Sequence, residues 1–328
     1  MKFRFLVLAF FTFISFSSYS QVKIIFDTDI GGDSDDLGAL AMLHTFIDKG
    51  DCDLLAVMCW QTEEYAVSAI NAINTYYNHP DIPIGLRSGD YHHDEWYYNK
   101  PIADKFNHSM EYKDAENATQ LYRKILSESK DKSIVIVTVG PLKNIQDLIK
   151  SGSDEYSKLN GKALIEKKVR EFVMMGGGFP ESENEWNFNG DMPGVTKFVI
   201  ENLSVPITFS GFEVGLVIKT GKVFNNIDPN SPLYVGYLHF SKNAPWIKDQ
   251  FKGEILDNAS FDQTAVLYAV KGGLGKWWEK VDDGQCIPDN NGGNTWKTGK
   301  KADHSYLKLT IDPEEMATLI EAIMLNNF

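Results

Sequence analysis

Five aspartates, Asp27, Asp29, Asp33, Asp35 and Asp36, fall within ten residues of one another. Like charges at that density repel, and a carboxylate is costly to desolvate unless a partner neutralises it. A hard divalent cation, Ca²⁺ or Mg²⁺, suits their oxygens best. Other uses of such a run fit less well or say less. A solvated acidic loop would need only Asp35 or Asp36 as a helix cap. An EF-hand loop would place Asp27, Asp29, Asp33 and Asp35 at odd positions, but it needs Glu at the twelfth, where the chain has Gly38, and a helix before the loop. Aspartyl-nucleophile phosphatases also set Asp-x-Asp after a first strand, but their pattern needs Thr or Val where this chain has Gly31.

The flanking elements have to position these acids. Residues 22–26 form an apolar run that reads as a buried strand, and residues 37–43 read as a helix, so the acids crowd one strand-to-helix turn. The rhythm then repeats. Buried strands are expected at 54–59, 134–139, 172–175 and 206–209, with a short strand-like return at 81–85. Helices are expected at 63–77, 118–127, around 195–202, at 262–270, from Pro141, and after Asp312-Pro313, where Glu315 would close a capping box. From 87 to 117 the chain is polar, aromatic and irregular, with His92, His93 and His108 inside it and His79 nearby; loops that long within a compact domain are usually functional or mobile. Alternation of this kind predicts an α/β fold: a single domain with a mainly parallel, Rossmann-like open sheet and helices on both faces. Ligands of such sheets sit outside the carboxyl ends of the strands. The aspartate turn, Val139-Gly140-Pro141 and the glycines after Met175 all belong to that edge.

Composition narrows the function classes. Acidic residues outnumber basic ones by 45 to 32, for a net charge of −13, which argues against a nucleic-acid partner. The first residues read as a signal peptide: Lys2 and Arg4 give a basic start, residues 5–16 are mostly apolar, and Ser18 and Ser20 are small residues before a cleavage site. Cleavage after Ser20 leaves a domain of residues 21–328 and implies a periplasmic or secreted protein with no membrane attachment, because no later segment is apolar enough to span one. The three cysteines, Cys52, Cys59 and Cys286, do not make a disulfide framework and read as buried free thiols. No Cys/His spacing suggests zinc.

Four blocks, in order, resemble the nucleoside hydrolases of the inosine/uridine-preferring kind. Phe26-Asp27-Thr28-Asp29-Ile30-Gly31 followed by Asp35-Asp36-Leu37-Gly38-Ala39 is similar to that family's Asp-x-Asp-x-Gly and following Asp-Asp. Gly140-Pro141-Leu142-Lys143-Asn144 resembles its Gly-Pro-Leu-x-Asn. Met175-Gly176-Gly177 with Glu185-Trp186-Asn187 resembles its Met-Gly-Gly and Glu-Phe-Asn, and Asp262 matches a late Asp at the head of a helix. The resemblance implies hydrolysis of the N-glycosidic bond of a ribonucleoside or related N-riboside, giving ribose and free base. It implies one Ca²⁺ held by Asp29, Asp36, the Val139 carbonyl and Asp262, with Asp29 also the base toward the attacking water. It further implies an oxocarbenium-like transition state, sugar contacts from Asp35, Met175, Glu185 and Asn187, a loop-orienting role for Asp27, and a homo-oligomer.

The match has four departures, all on the substrate side. The aspartate loop is two residues longer than the common form and brings in Asp33, which could compete with Asp29 as base or with Asp35 at the ribose. Gln61 stands where the family often has Asn for the ribose diol. Phe261 replaces the His that serves purine-accepting members as acid to the leaving base, leaving His108 and His239 as candidate donors or the leaving group to depart unaided. The stretch from Gly178 to Glu185 is short and acidic. Trp186, Tyr234, Tyr237 and Trp246 are aromatic residues that could stack on a base, though such residues more often serve packing. A rival reading built on Phe261 and Gln61 is a non-catalytic, calcium-dependent ribose- or nucleoside-binding protein.

Overall fold

The computed structural model describes residues 21–92, 94–299 and 302–328; the expected signal peptide and His93 lie outside them. In chain order the strands are β1 (Val22–Thr28), β2 (Cys52–Cys59), β3 (Ile84–Leu86), β4 (Glu116–Asn117), β5 (Ile134–Thr138), β6 (Val169–Met175), β7 (Glu181–Ser182), β8 (Ile207–Ser210), β9 (Lys219–Thr220), β10 (Asn258–Ala259), β11 (Trp278–Val281), β12 (Gly284–Pro288), β13 (Asn294–Thr298) and β14 (His304–Leu309). Nine of them form one sheet in the order β11-β14-β8-β6-β5-β1-β2-β3-β4. Every pairing in it is parallel except β11 with β14, so the expected mainly parallel sheet is present with one antiparallel edge.

Alternate residues of the central strands feed two separate cores. Ile24, Phe26, Val57, Val135, Val137 and Val173 pack on one face; Ile25, Met58, Ile134, Ile136, Phe172 and Met174 pack on the other. A strand buried on both faces must read as an unbroken apolar run, which is why these strands were visible in the sequence. From β1 the chain winds outward through β2, β3 and β4. It then returns to the opposite side of β1 with β5 and winds away through β6 and β8. The winding therefore reverses between β1 and β5, and in open α/β sheets a ligand crevice opens at that point beyond the strand ends.

Two helices lie under that crevice. Asp35–Asp48 is buried from Asp35 through Phe46, and Phe261–Lys271 is buried from Asp262 through Val270. They approach closely because Gly38 has no side chain: a Cβ there would meet Gln263 Nε2 at 2.5 Å and the Tyr237 hydroxyl at 2.7 Å.

Several boundaries differ from those expected. The first helix starts at Asp35, two residues early, with Ser34 before it. The helix after Pro141 is Lys143–Lys150, and Asp312 caps the last helix through the Glu314 amide, with no capping box from Glu315. The 87–117 segment is less irregular than its composition suggests, since it holds a helix, Asn99–Lys105, a 3-10 turn, Tyr112–Asp114, and the edge strand β4. The sequence reading missed all of 278–309, where β11 and β14 extend the main sheet and β12 and β13 form a small antiparallel sheet with β7. Cys52, Cys59 and Cys286 are buried free thiols. No helix among the described residues is long and apolar enough to cross a membrane.

Replacing Gly38 with Ala should test the close helix pairing. Overpacking of this kind costs about 1–3 kcal/mol, against about 1 kcal/mol gained in helix propensity. The urea midpoint should fall; a rise would show that the two helices have room to separate.

Candidate active site

The Asp29 carboxylate stands at the end of β1, opposite the turn that leaves β5. Gly140 makes that approach possible, because a Cβ at that position would lie 2.8 Å from both the Asp29 amide nitrogen and its Oδ1. Asp27, two residues earlier, points back into the fold. Its carboxylate accepts from the Tyr122 hydroxyl at 2.8 Å and from Asn144 Nδ2 at 3.0 Å. Burial pushes Asp27 up to about 7 against those two donors. The Gly-Pro-Leu-x-Asn block thus does two jobs in this chain: its glycine makes room for Asp29 and its asparagine anchors Asp27.

Asp35, Asp36 and Asp262 come together where the two buried helices begin. Their carboxylate oxygens lie within 4.8 Å of one another, and all three side chains are buried. The Asp262 amide donates to Asp35 Oδ2 at 3.3 Å, and the Thr28 hydroxyl donates to Asp36. Both helix N-termini therefore turn their positive ends toward these acids, worth up to about 2 kcal/mol each. Asp33 is turned aside. Its Oδ1 accepts from the Ser34 amide at 2.6 Å and from Asn258 of β10, whose Nδ2 also donates to the Ser34 hydroxyl at 3.0 Å. The longer aspartate loop is in this way pinned to the strand that leads into the Phe261–Lys271 helix.

A cavity of about 680 Å³ opens over this cluster. The ten residues expected to hold the cation or contact the sugar all line it: Asp29, Asp33, Asp35, Asp36, Gln61, Val139, Met175, Glu185, Asn187 and Asp262. Glu185 caps the short helix Trp186–Asn189. Its two carboxylate oxygens accept from the Asn187, Phe188 and Gly177 amides at 3.0, 3.1 and 2.8 Å. Asn187 Nδ2 reaches the Val139 carbonyl at 3.0 Å and Met175 Sδ at 3.0 Å, so the β5 and β6 ends are held by one amide. Gln61 Nε2 donates to the Tyr97 hydroxyl at 3.2 Å.

The sequence reading undervalued the aromatic wall. Trp186 Nε1 donates to Asp29 Oδ2 at 2.8 Å across 157 residues of chain. Trp96, Tyr97, Trp246, Phe212 and Phe261 complete the aromatic part of the lining, with Phe212 stacked on Phe261 at 4.9 Å and Trp96 edge-on to Trp246 at 5.3 Å. The candidate proton donors His108 and His239 are elsewhere. His108 is exposed beside a separate depression, and His239 lies against the backbone of Glu95 and Trp96, outside the cavity lining. Tyr234 and Tyr237 are also outside the lining, Tyr237 being fully buried core. Trp186 and Trp246 were visible as stacking candidates, but the rim as a whole had no local pattern, because its members come from five separate segments.

The electrostatics of the donor set point to a cation. Burial and mutual repulsion hold Asp35, Asp36 and Asp262 well above the usual carboxylate range, and burial, outweighing the hydrogen bond from Trp186, raises Asp29 to about 7. Among the described residues, the cavity lining contains no Lys, Arg or His to answer this charge. Three buried carboxylates, with the half-buried Asp29 and the Val139 backbone in the same lining, form an all-oxygen set of the kind a hard divalent cation takes.

A model of the inosine-uridine preferring nucleoside hydrolase family matches residues 24–315. The fold is similar to that of a plant nucleoside hydrolase, with a TM-score of 0.66 and 16% identity over 92% of this chain and 98% of that one. A purine-preferring ribonucleoside hydrolase from Gardnerella vaginalis gives a TM-score of 0.67 and 14% identity over 93% and 97%. The inosine-uridine preferring nucleoside hydrolase from Bacillus anthracis gives 0.62 and 15% over 93% and 100%. No curated protein sequence matches the chain closely enough to count as a relative.

The raised carboxylates link cation binding to pH. A carboxylate whose folded pKa lies above its unfolded value adds stability that is present below the ordinary range and is lost as pH rises through the folded pKa, here about 7 for Asp29. In chelator, the unfolding free energy should therefore fall as pH rises from about 4 to about 7. If these acids hold a divalent cation, saturating calcium as the probe should remove that fall, and its affinity should rise over the same interval, because carboxylate ligands must be ionised. Urea melts with and without chelator, together with calcium titration calorimetry across that interval, check both signs.

Proposed function

The chain belongs to the inosine-uridine preferring nucleoside hydrolase family, a family of N-ribosyl hydrolases, and we propose that it hydrolyses the N-glycosidic bond of an N-riboside with calcium as its resident cation. The observation that supports this reading is that Asp29, Asp36, Val139 and Asp262 line one cavity together with Glu185 and Asn187. These four oxygen sources would hold the cation, with Asp35 close enough to share it or to accept from a ribose hydroxyl. When bound, the cation supplies charge neutralisation and polarises the oxygens it touches.

The remaining work falls to this chain's own residues. Asp29 takes the proton of the attacking water, and the Trp186 indole fixes one of its two oxygens while it does so. Asp35 and Gln61 orient the ribose hydroxyls, and Glu185 and Asn187 the outer side of the sugar. Three backbone amides already set the Glu185 carboxylate, so it is preorganised rather than recruited by substrate. Asp33, tied to Asn258, shapes the wall from a fixed position. Met175 packs beside the sugar. Positive charge developing on the ring during bond breaking is stabilised by the carboxylates beneath it. Export past the membrane after signal cleavage and assembly into a homo-oligomer complete the reading.

Purified protein incubated with a panel of ribonucleosides in calcium should release ribose, and chelator should abolish release. Asp29→Asn should lower kcat by about 10²–10⁴-fold, the usual worth of a positioned base. Gly140→Ala, which pushes on Asp29 without removing it, should cost on the order of 10²-fold in kcat with folding retained. Calorimetric binding of nucleosides with no turnover of any N-riboside would replace this reading by that of a binding protein.

A further inference from the structure

We propose that the preferred substrates are N-ribosides whose base carries a positive charge, such as pyridinium ribosides; this rests on the N-riboside hydrolase reading and assigns the leaving-group side of the same cavity. Three observations converge on it. The lining carries six carboxylates, from Asp29, Asp33, Asp35, Asp36, Glu185 and Asp262, and among the described residues no cationic side chain. Asp33 and Glu185 stand outside the Asp35, Asp36 and Asp262 cluster with their oxygens accepting from amide donors, so the cavity offers a cationic ligand carboxylates and no repelling side chain. The mouth is walled by aromatic side chains, and three of them, Trp186, Phe212 and Trp246, are 41–56% exposed. Indole and phenyl faces attract a cation and stack on any heteroaromatic ring. Exposed aromatic surface of this size around a cavity marks a ligand-contacting rim.

The third observation concerns protons. A neutral nucleoside loses its base as an anion unless a donor protonates it. The position before Asp262, at the head of its helix, is Phe261, stacked on Phe212. His108 and His239 are outside the lining, and the half-buried Tyr97 phenol is held above its ordinary range, mainly by desolvation. Apart from carboxyl groups, whose oxygens already accept from amides, Asn258 and Trp186 or lie in the Asp35, Asp36 and Asp262 cluster, the lining among the described residues offers no good acid. A cationic base needs none. When the bond from C1′ to the ring nitrogen breaks, its electron pair stays on that nitrogen and the base leaves neutral. Water oxygen bonds C1′, and the water's proton passes to Asp29 and then to solvent. The products are ribose, a neutral base and one proton, with no co-reactant. A negative cavity with an aromatic mouth thus favours the substrate class for which it lacks nothing.

Calcium-loaded full-length protein should be assayed on four probes: nicotinamide riboside, inosine, uridine and p-nitrophenyl riboside. The last is activated but neutral, so it separates leaving-group reactivity from charge. The inference expects kcat/KM for nicotinamide riboside to exceed that for inosine and uridine by at least about tenfold. Raising ionic strength from about 0.02 to about 0.5 M should raise KM for the cationic probe several-fold and leave that for p-nitrophenyl riboside unchanged. Trp246→Leu, which keeps apolar area but removes a π face from the exposed rim, should raise KM for the cationic probe by about five- to tenfold and change it less for the neutral ones. Neutral nucleosides turned over as well as the pyridinium riboside, or a salt-insensitive KM for it, would overturn the inference and leave the hydrolase standing. Turnover of none of the four would overturn the hydrolase reading itself.

Discussion

Mutual repulsion among Asp35, Asp36 and Asp262 is the constraint around which the molecule is arranged. At the separations seen here, up to 4.8 Å, each ionised pair repels by about 3–4 kcal/mol at an effective dielectric of about 20. Three such pairs approach the whole folding free energy of a domain, about 5–15 kcal/mol. The two helix N-termini that face the acids offset up to about 2 kcal/mol each, and the Thr28 hydroxyl adds a single hydrogen bond of about 1–3 kcal/mol. Local dipoles cannot balance the cluster. Either the carboxylates take up protons, as their raised pKa values express, or a cation sits among them.

Much of the surrounding structure can be understood as restraint on charges that would otherwise move apart. Each acid next to the cluster is tied to a different element. Asp27 is held by Tyr122 and Asn144, Asp33 by Asn258, and Asp29 by Trp186. The donors are neutral, so they fix geometry without discharging the site. A lysine in any of these places would quench the attraction for a cation, whereas a hydroxyl, amide or indole leaves it intact. The same economy applies to Glu185, where backbone amides restrain the carboxylate but keep its charge available.

How far the sequence could be read follows from these forces. Strands β1, β2, β5 and β6 are buried on both faces, so their apolar runs were unambiguous, and the acids at the end of β1 announced a charge problem before any fold was known. The region 278–309 was opaque because β11 to β14 are short and mostly antiparallel, and exposed positions alternate with buried ones in β12. The helix Asn99–Lys105 was opaque because only Asn99, Ile102 and Ala103 are buried, too few to show a period of 3.6. Site residues were legible where they belonged to contiguous blocks. Those defined by contact across the chain were not. The Trp186 bond to Asp29 spans 157 positions, and no local pattern encodes that Asp33 would turn toward Asn258.

The departures from the family pattern acquire a common logic once they are placed in three dimensions. Phe261 sits at the head of the Phe261–Lys271 helix, one residue before Asp262, and stacks on Phe212. Trp186, standing where the family's Glu-Phe-Asn has Phe, opens the short helix after Glu185 and reaches Asp29. Asp33 enters through the two extra residues of the loop and adds a sixth carboxylate to the lining. None of the three replaces Asp29, Asp36, Val139 or Asp262, the expected cation ligands. Two of them add aromatic surface and one adds negative charge, and none adds a proton donor other than the indole already committed to Asp29. Changes that drift at random would be expected to include at least some loss of charge or of packing at the floor. These instead move the mouth in one chemical direction, toward a flat, polarisable, electron-poor ring that can leave without being protonated.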